Sequence, residues 1–217
     1  MTAPFTPDKG HTEVIIFSRY PESGISKTRL IPLLGSDNAA RLQRLMTEKL
    51  LAAVEALSPG LGCRLTICFS GGTRAKMVTW LGEHRYVEQR GDDLGGRMQY
   101  AFSESFKSGA QQAILVGSDI PSIDTTLLAQ AITLVKQQEV VIGPTYDGGY
   151  YLIGFNNKRA TELYPAIFQG ITWSTTSVFE RTRQGLLALG ITPVSLPKHH
   201  DIDVPEDLPY AEKWQLL

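Results

Sequence analysis

Apolar positions along this chain occur in two patterns. Short runs rich in β-branched and aliphatic residues fall at 13–18, 64–70, 86–89, 113–116, 140–142, 150–155 and 192–196. Their length and composition predict strands, and the unbroken runs inside 13–18 and 113–116 suit the centre of a sheet. Longer stretches carry apolar residues at helical spacing. Leu42, Leu45, Met46, Leu50, Ala53, Val54 and Leu57 predict a helix over 38–57, stopped by Ser58-Pro59-Gly60. Further helices are predicted over 73–81, over 98–106 with Gly109 closing it, from the cap residue Asp124 to Lys136, from Ser174-Thr175-Thr176 to Leu189, and from Pro205 onward. Strands and helices alternate throughout, which predicts a three-layer α/β/α fold. No repeat, low-complexity tract or linker interrupts the pattern. Residues 1–217 therefore read as a single domain with a loose polar tail over 1–11.

Composition narrows the class. With 217 residues, 42% hydrophobic and 20% charged, the chain can bury a full core and is too apolar for disorder. A net charge of -1 gives nucleic acid or an acidic membrane no electrostatic handle. No segment has signal-peptide or membrane-spanning character, so a cytoplasmic protein without membrane insertion is expected. Cys63 and Cys68 lie five apart around a strand and match neither a disulfide framework nor a zinc spacing. Opposite-facing buried thiols in a reducing compartment are expected.

The candidate chemistry lies where predicted strands end, which is where open α/β sheets bind ligands. The run 113–116 leads into Gly117-Ser118-Asp119-Ile120-Pro121 and delivers one carboxylate. Asp119 reads either as the holder of a divalent metal on a nucleotide diphosphate or as a cap on the following turn. After the first strand, the loop 19–29 carries Lys27 and Arg29. It is not a P-loop, because Ser26 precedes Lys27, and it lacks G-x-G-x-x-G. Such a loop wraps a nucleotide with its cations on phosphates, or is simply a solvated basic loop. Gly91-Asp92-Asp93-Leu94-Gly95-Gly96-Arg97 allows close backbone approach with Arg97 reaching phosphate, or is a plain glycine-rich turn.

Two later segments complete the set. Asp147-Gly148-Gly149-Tyr150-Tyr151 reads as a hairpin turn, or as the place where Asp147 and the backbone of Gly148 and Gly149 meet an acceptor's hydroxyls. Its paired tyrosines face opposite ways, so one can lie on a ligand while the other packs inward. Asp201 and Asp203 alternate in an extended segment, point to one side, and with Asp119 could make an oxygen-ligand metal site. His199 and His200 face opposite ways and read as surface or turn residues rather than zinc ligands. Trp173-Ser174-Thr175 offers helix caps or an anion-binding helix start. No Ser/His/Asp arrangement, H-E-x-x-H or G-x-S-x-G is present.

In order, these segments resemble a known family. They are Phe17-Ser18-Arg19-Tyr20-Pro21 through Lys27-Thr28-Arg29-Leu30; Gly91 through Met98; Gly117-Ser118-Asp119-Ile120-Pro121; Gly143-Pro144 through Gly154; Trp173-Ser174-Thr175; and Asp201-Ile202-Asp203-Val204-Pro205-Glu206-Asp207-Leu208. Together they are similar to the glycosyltransferase-A-like bacterial transferases described as radical-SAM- and selenodomain-associated. That family is related to the coenzyme F420 guanylyltransferase, and some members are described as arsenosugar-biosynthesis glycosyltransferases. The resemblance implies a nucleotide-diphospho-sugar transferase fold with a mixed, mostly parallel central sheet and the nucleotide over the first loop. Asp119 matches the metal-binding aspartate, without a full D-x-D, and Asp203 matches the second ligand of related nucleotidyltransferases. Arg19 stands where the family usually has Lys.

The expectation is a transferase dependent on Mg²⁺ or Mn²⁺ that uses a nucleotide-activated donor and a small acceptor. Asp119, Asp203 and Asp201 would hold the metal. Ser18, Arg19, Lys27, Arg29, Arg97 and Ser118 would bind the nucleotide and its phosphates, with Lys27 and Arg29 also catalytic. Asp147 would orient the acceptor or act as its base, beside Gly148, Gly149, Tyr150, Trp173 and Ser174. Glycosyl transfer is the first reading. Nucleotidyl transfer to a phosphate-bearing acceptor is the second, a non-catalytic nucleotide-sugar-binding regulator the third, and a homo-oligomer stays open.

Overall fold

A computed structural model describes residues 10–214 and residue 216 of the chain. Its centre is a seven-stranded sheet in the order β3-β2-β1-β4-β6-β5-β7. The strands are β1 (Thr12–Arg19), β2 (Cys63–Ser70), β3 (Arg85–Glu88), β4 (Gln112–Gly117), β5 (Val140–Pro144), β6 (Tyr150–Asn156) and β7 (Val194–Ser195). β1 pairs in parallel with β2 and β4, β2 with β3, and β5 with β7. Only β6 runs against its neighbours β4 and β5. The sheet is therefore mixed and mostly parallel, with β1 and β4 at its centre.

Helices cover both faces: α1 (Ile31–Leu34), α2 (Ser36–Glu55), α3 (Arg74–Leu81), α4 (Leu94–Lys107), α5 (Thr125–Gln137), α6 (Ala160–Phe168), α7 (Val178–Ala188) and α8 (Leu208–Lys213). Side-chain alternation along β1 and β4 divides the core in two. Val14, Ile16, Ile114 and Val116 pack with Leu50 and Val54 of α2 and Leu128 and Val135 of α5. Ile15 and Leu115 face Met98 and Phe102 of α4 and Ile167 of α6 on the other side. Phe102 stacks on Phe155 with ring centroids 4.2 Å apart. Cys63 packs with the first cluster and Cys68 with the second, so the two free thiols do face opposite ways.

Several expectations are corrected. α4 begins at Leu94 rather than Met98, because Asp93 caps it by accepting the Gly96 N–H at 2.7 Å. The glycine pair is thus the first turn of a helix. α6 was not expected: Pro165 lies inside it and argues locally against helix, yet Leu163, Ile167 and Phe168 bury a face that holds it. α7 starts at Val178 rather than Ser174, since Ser174 sits at φ 61°, outside helical space. The late strand over 192–196 shrinks to Val194–Ser195. His11, expected in the tail, is instead buried against Glu13 with Nε2 to Oε2 at 2.9 Å; residues 1–9 lie outside the described ones. Among the described residues no helix is long and apolar enough to cross a membrane.

Candidate active site

The carboxyl ends of β1 and β4 lie side by side, with Phe17 opposite Gly117. Their next residues, Ser18 and Ser118, are buried, and each hydroxyl is committed inward. Ser18 Oγ meets Thr47 Oγ1 at 3.1 Å and Ser118 Oγ at 3.3 Å, and Gln43 donates from Nε2 to Ser118 Oγ at 3.2 Å. This closed polar network forms a firm floor, since buried polar groups are costly unless partnered. Gln89 ties the same floor sideways, donating to the Ser18 and Cys68 carbonyls at 3.0 and 3.1 Å. Neither glutamine was anticipated. Gln43 and Thr47, one helical turn apart on the buried face of α2, were the legible signal.

The first loop folds back over this floor. Ser26, buried at its bend, accepts the Glu22 N–H at 2.9 Å and donates to the Tyr20 carbonyl at 3.3 Å. Lys27 then takes the left-handed conformation, φ 49° and ψ 46°, a strained choice for a side-chain-bearing residue. The strain is outweighed by what the turn achieves. Leu30 enters a third apolar cluster with Leu42, Met46, Ile202 and Leu208, which clamps the loop, α2 and the C-terminal segment together. That clamp also delivers Asp203. Ile202 donates its N–H to the Asp119 carbonyl at 3.1 Å, and Asp207 Oδ2 accepts the N–H groups of Asp203 and Val204 at 2.8 and 2.9 Å.

The result is a triad. Lys27 Nζ lies 3.0 Å from Asp119 Oδ1 and 2.6 Å from Asp203 Oδ1, with the lysine side chain only 4% exposed and the two carboxylates 43% and 45% exposed. Burial by itself would lower the Lys27 pKa, but the charges and hydrogen bonds of Asp119 and Asp203 raise it above the ordinary lysine value. The ammonium stays charged. Among the described residues no three His, Cys, Asp or Glu side chains converge as a metal site. Asp119 and Asp203 come together, whereas Asp201 lines the adjoining cavity. Two carboxylates brought onto one cation suit Mg²⁺ or Mn²⁺, which take one or two carboxylates and complete their shell with phosphate and water.

Two cavities meet at this triad. The first, about 480 Å³, lies over β1 and is lined by Arg19, Lys27, Arg29, Gln43, Gln89 and Arg97 among others. Arg97 is steadied by donating from Nε to the Gly91 carbonyl at 3.3 Å. The second, about 310 Å³, lies between Asp119, the β5–β6 hairpin and the segment before α7. Arg29, Asp119, Ser174 and Asp203 line both.

The β5–β6 connection forms the hairpin its sequence allowed. It is a true β-turn between antiparallel strands, and it faces the second cavity with Asp147 and Gly149. Asp147 Oδ1 accepts the Thr145 hydroxyl and the Gly149 N–H. Gly148 does not line the cavity. It sits at φ 92°, where a Cβ would strike the Thr176 carbonyl, and its carbonyl accepts the Phe179 N–H at 2.9 Å. Tyr150 and Tyr151 both reach the cavity wall. Burial raises the pKa of each, and the Tyr151 hydroxyl donates to the Pro197 carbonyl at 3.1 Å. Trp173 packs its ring on Gly95 and edge-on to Tyr150. Burial first, and then Asp147, push the Asp201 pKa up to about 6. The histidines are not free surface groups: His199 Nδ1 meets Ser122 Oγ at 2.5 Å, and His200 stacks between Tyr146 and Tyr210.

Residues 50–175 match the family model for an uncharacterized protein conserved in bacteria, DUF2064. The chain belongs to the DUF2064 family. The matched segment contains Arg97, Asp119, Asp147 and Trp173 but neither Lys27 nor Asp203. A solved protein of Desulfovibrio desulfuricans G20, provisionally named a nucleotide-diphospho-sugar transferase, is 34% identical with a TM-score of 0.81, covering 89% of this chain and 82% of its own. More distant structures share the fold. A 4-diphosphocytidyl-2C-methyl-D-erythritol synthase from Anaerococcus prevotii DSM 20548 is 13% identical with a TM-score of 0.65, over 96% of this chain and 97% of its own. The Rv0371c protein of Mycobacterium tuberculosis H37Rv, in complex with manganese, is 15% identical with a TM-score of 0.54, over 93% and 97%. No functionally curated protein matches this chain. This DUF2064 member thus has the glycosyltransferase-A-like architecture of a transferase family, as the six sequence segments implied.

Proposed function

We propose that the chain is a nucleotide-utilising transferase that draws on a nucleotide-activated donor in the cationic cleft and serves a small acceptor in the adjoining cavity. Transfer of a glycosyl group from a nucleotide-diphospho-sugar is the preferred reaction. One observation carries this: the buried Lys27 ammonium holds Asp119 and Asp203 at the seam between the two cavities. A diphosphate at that seam would meet Arg19, Arg29 and Arg97, whose guanidinium groups suit phosphate oxygens. Asp119 and Asp203 would hold Mg²⁺ or Mn²⁺, which supplies charge neutralisation for a leaving phosphate. Lys27 fixes the two carboxylates before any ligand arrives, so little reorganisation is left for the reaction. Asp147, held by Thr145 and Gly149, would receive the proton of the attacking group.

The test is thermal stabilisation of the protein by UDP-, GDP- and dTDP-sugars and by nucleoside triphosphates, each with and without Mn²⁺. A ligand well above its dissociation constant raises stability by roughly 2–4 kcal/mol. Metal-dependent stabilisation by a sugar nucleotide supports the proposal. Stabilisation by a triphosphate, followed by pyrophosphate release, replaces it with nucleotidyl transfer. Binding without turnover on any acceptor points to a regulator, and no response in either set overturns the metal–nucleotide reading.

A further inference from the structure

The two adjoining cavities differ in charge. The cleft over β1 sets Arg19, Lys27, Arg29 and Arg97 against Asp119 and Asp203. The cavity beside it sets Asp119, Asp147, Asp201 and Asp203 against Arg29. Lys27 already answers Asp119 and Asp203. Asp147 spends one oxygen on its own turn, and the neighbours that bear on Asp201 are the carboxylates of Asp147, Asp203 and Asp207. The rest of the wall is largely apolar, with Met98, Ile120, Tyr150, Tyr151, Trp173 and Val178. On that wall the Trp173 indole N–H is buried without an acceptor.

We infer that this cavity takes a small acceptor whose nucleophile is a hydroxyl or amine and which carries no phosphate or carboxylate, an inference that rests on the transferase reading above. Hydroxyl and ammonium groups donate hydrogen bonds to carboxylates. A phosphate brings acceptor oxygens and charge of the same sign to a wall that carries Asp147 and Asp201. An enzyme joining a nucleotide to a phosphate-bearing acceptor requires the opposite lining. In the step that follows, the acceptor oxygen or nitrogen forms a bond to the sugar carbon. The bond from that carbon to the diphosphate breaks, the nucleoside diphosphate leaves with the electron pair, and the acceptor proton passes to Asp147.

The test compares matched pairs by saturation-transfer NMR, with diamagnetic Mg²⁺ and pyrophosphate filling the cationic cleft. The pairs are glucose with glucose 6-phosphate, glycerol with glycerol 3-phosphate, and ethanolamine with phosphoethanolamine. Binding alone is read, so a failure of the donor panel above stays distinguishable from a failure here. At least one unphosphorylated member is expected to bind, and its phosphorylated partner ~100-fold more weakly, the scale of close like-charge contacts. Asp201→Asn, and separately Asp147→Asn, should narrow that gap by about tenfold each; Asp201→Asn leaves the hairpin's own hydrogen bonds intact should Asp147→Asn disturb them. Equal or tighter binding of the phosphorylated members, a gap unmoved in both variants, or no binding by any unphosphorylated member overturns the inference.

Discussion

Replacing Lys27 by Met keeps the stem and removes the charge that joins two segments far apart in sequence. In the native chain both Asp119 Oδ1 and Asp203 Oδ1 lie within 3.0 Å of one nitrogen, so the two oxygens are within about 6 Å of one another. At an effective permittivity near 20 their repulsion is about 3 kcal/mol once the ammonium is gone. Each carboxylate is nearly half exposed and can turn toward water, which reduces the net loss to about 2 kcal/mol. For a chain of this size that is a fall of roughly 4–8 °C in Tm. The same repulsion should make the variant hungrier for a divalent cation. Melting curves with and without Mn²⁺ are therefore expected to show a larger metal-dependent rise for Lys27→Met than for the native protein, alongside loss of transfer activity. A variant as stable as the native chain, with no greater response to Mn²⁺, would refute the view that Lys27 is the resident counter-ion of a metal-competent carboxylate pair.

Three further outcomes are expected. Arg97→Ala should weaken binding of a nucleotide diphosphate by about tenfold, the scale of one charge-assisted contact, measured by calorimetry, while leaving Tm nearly unchanged. Gly95→Ala would drive a Cβ into the Phe168 carbonyl and to within 2.6 Å of the Trp173 ring; overpacking of this kind costs about 1–3 kcal/mol, and a shift in tryptophan fluorescence should accompany the fall in Tm. Asp201 has its folded pKa raised from 3.8 to about 6, so its protonated form favours folding, and that contribution is complete below the unfolded pKa and lost as pH rises through 6. Asp201→Asn should accordingly stabilise the protein by about 1 kcal/mol at pH 8, allowing for solvent screening, with no gain at pH 4 in the same melting series.

Much of this arrangement was legible in the chain because it is local. The β1 and β4 runs, the Asp124 cap and the α2 stripe are patterns of near neighbours, and they placed the strand ends correctly. The candidate carboxylates and cations followed from those ends. What could not be read was whatever long-range packing decides. α6 exists because its apolar face is wanted by α4 and β6, despite Pro165. Gly95 and Gly96 look like loop residues until one sees that Asp93 caps a helix there and that Gly95 must admit Trp173. The ion triad joins positions 27, 119 and 203, and no spacing rule announces a lysine folded into the place between two acids. Its cause is the burial of Leu30 and Ile202 in one small cluster, a tertiary fact.

The two ends of the sheet have a consequence of their own. β3, at one margin, is four residues long and begins and ends on the charged Arg85 and Glu88. β7, at the other, is two residues long, with Pro193 before it and Pro197 soon after. Short, charged or proline-flanked margins offer few free N–H and C=O groups to an incoming chain. Extension of the sheet from one molecule into the next is therefore disfavoured at both margins, and the apolar β1 and β4 lie inside, covered by β2 and β6. Among the described residues, the helices and loops offer more surface for self-association than either sheet margin.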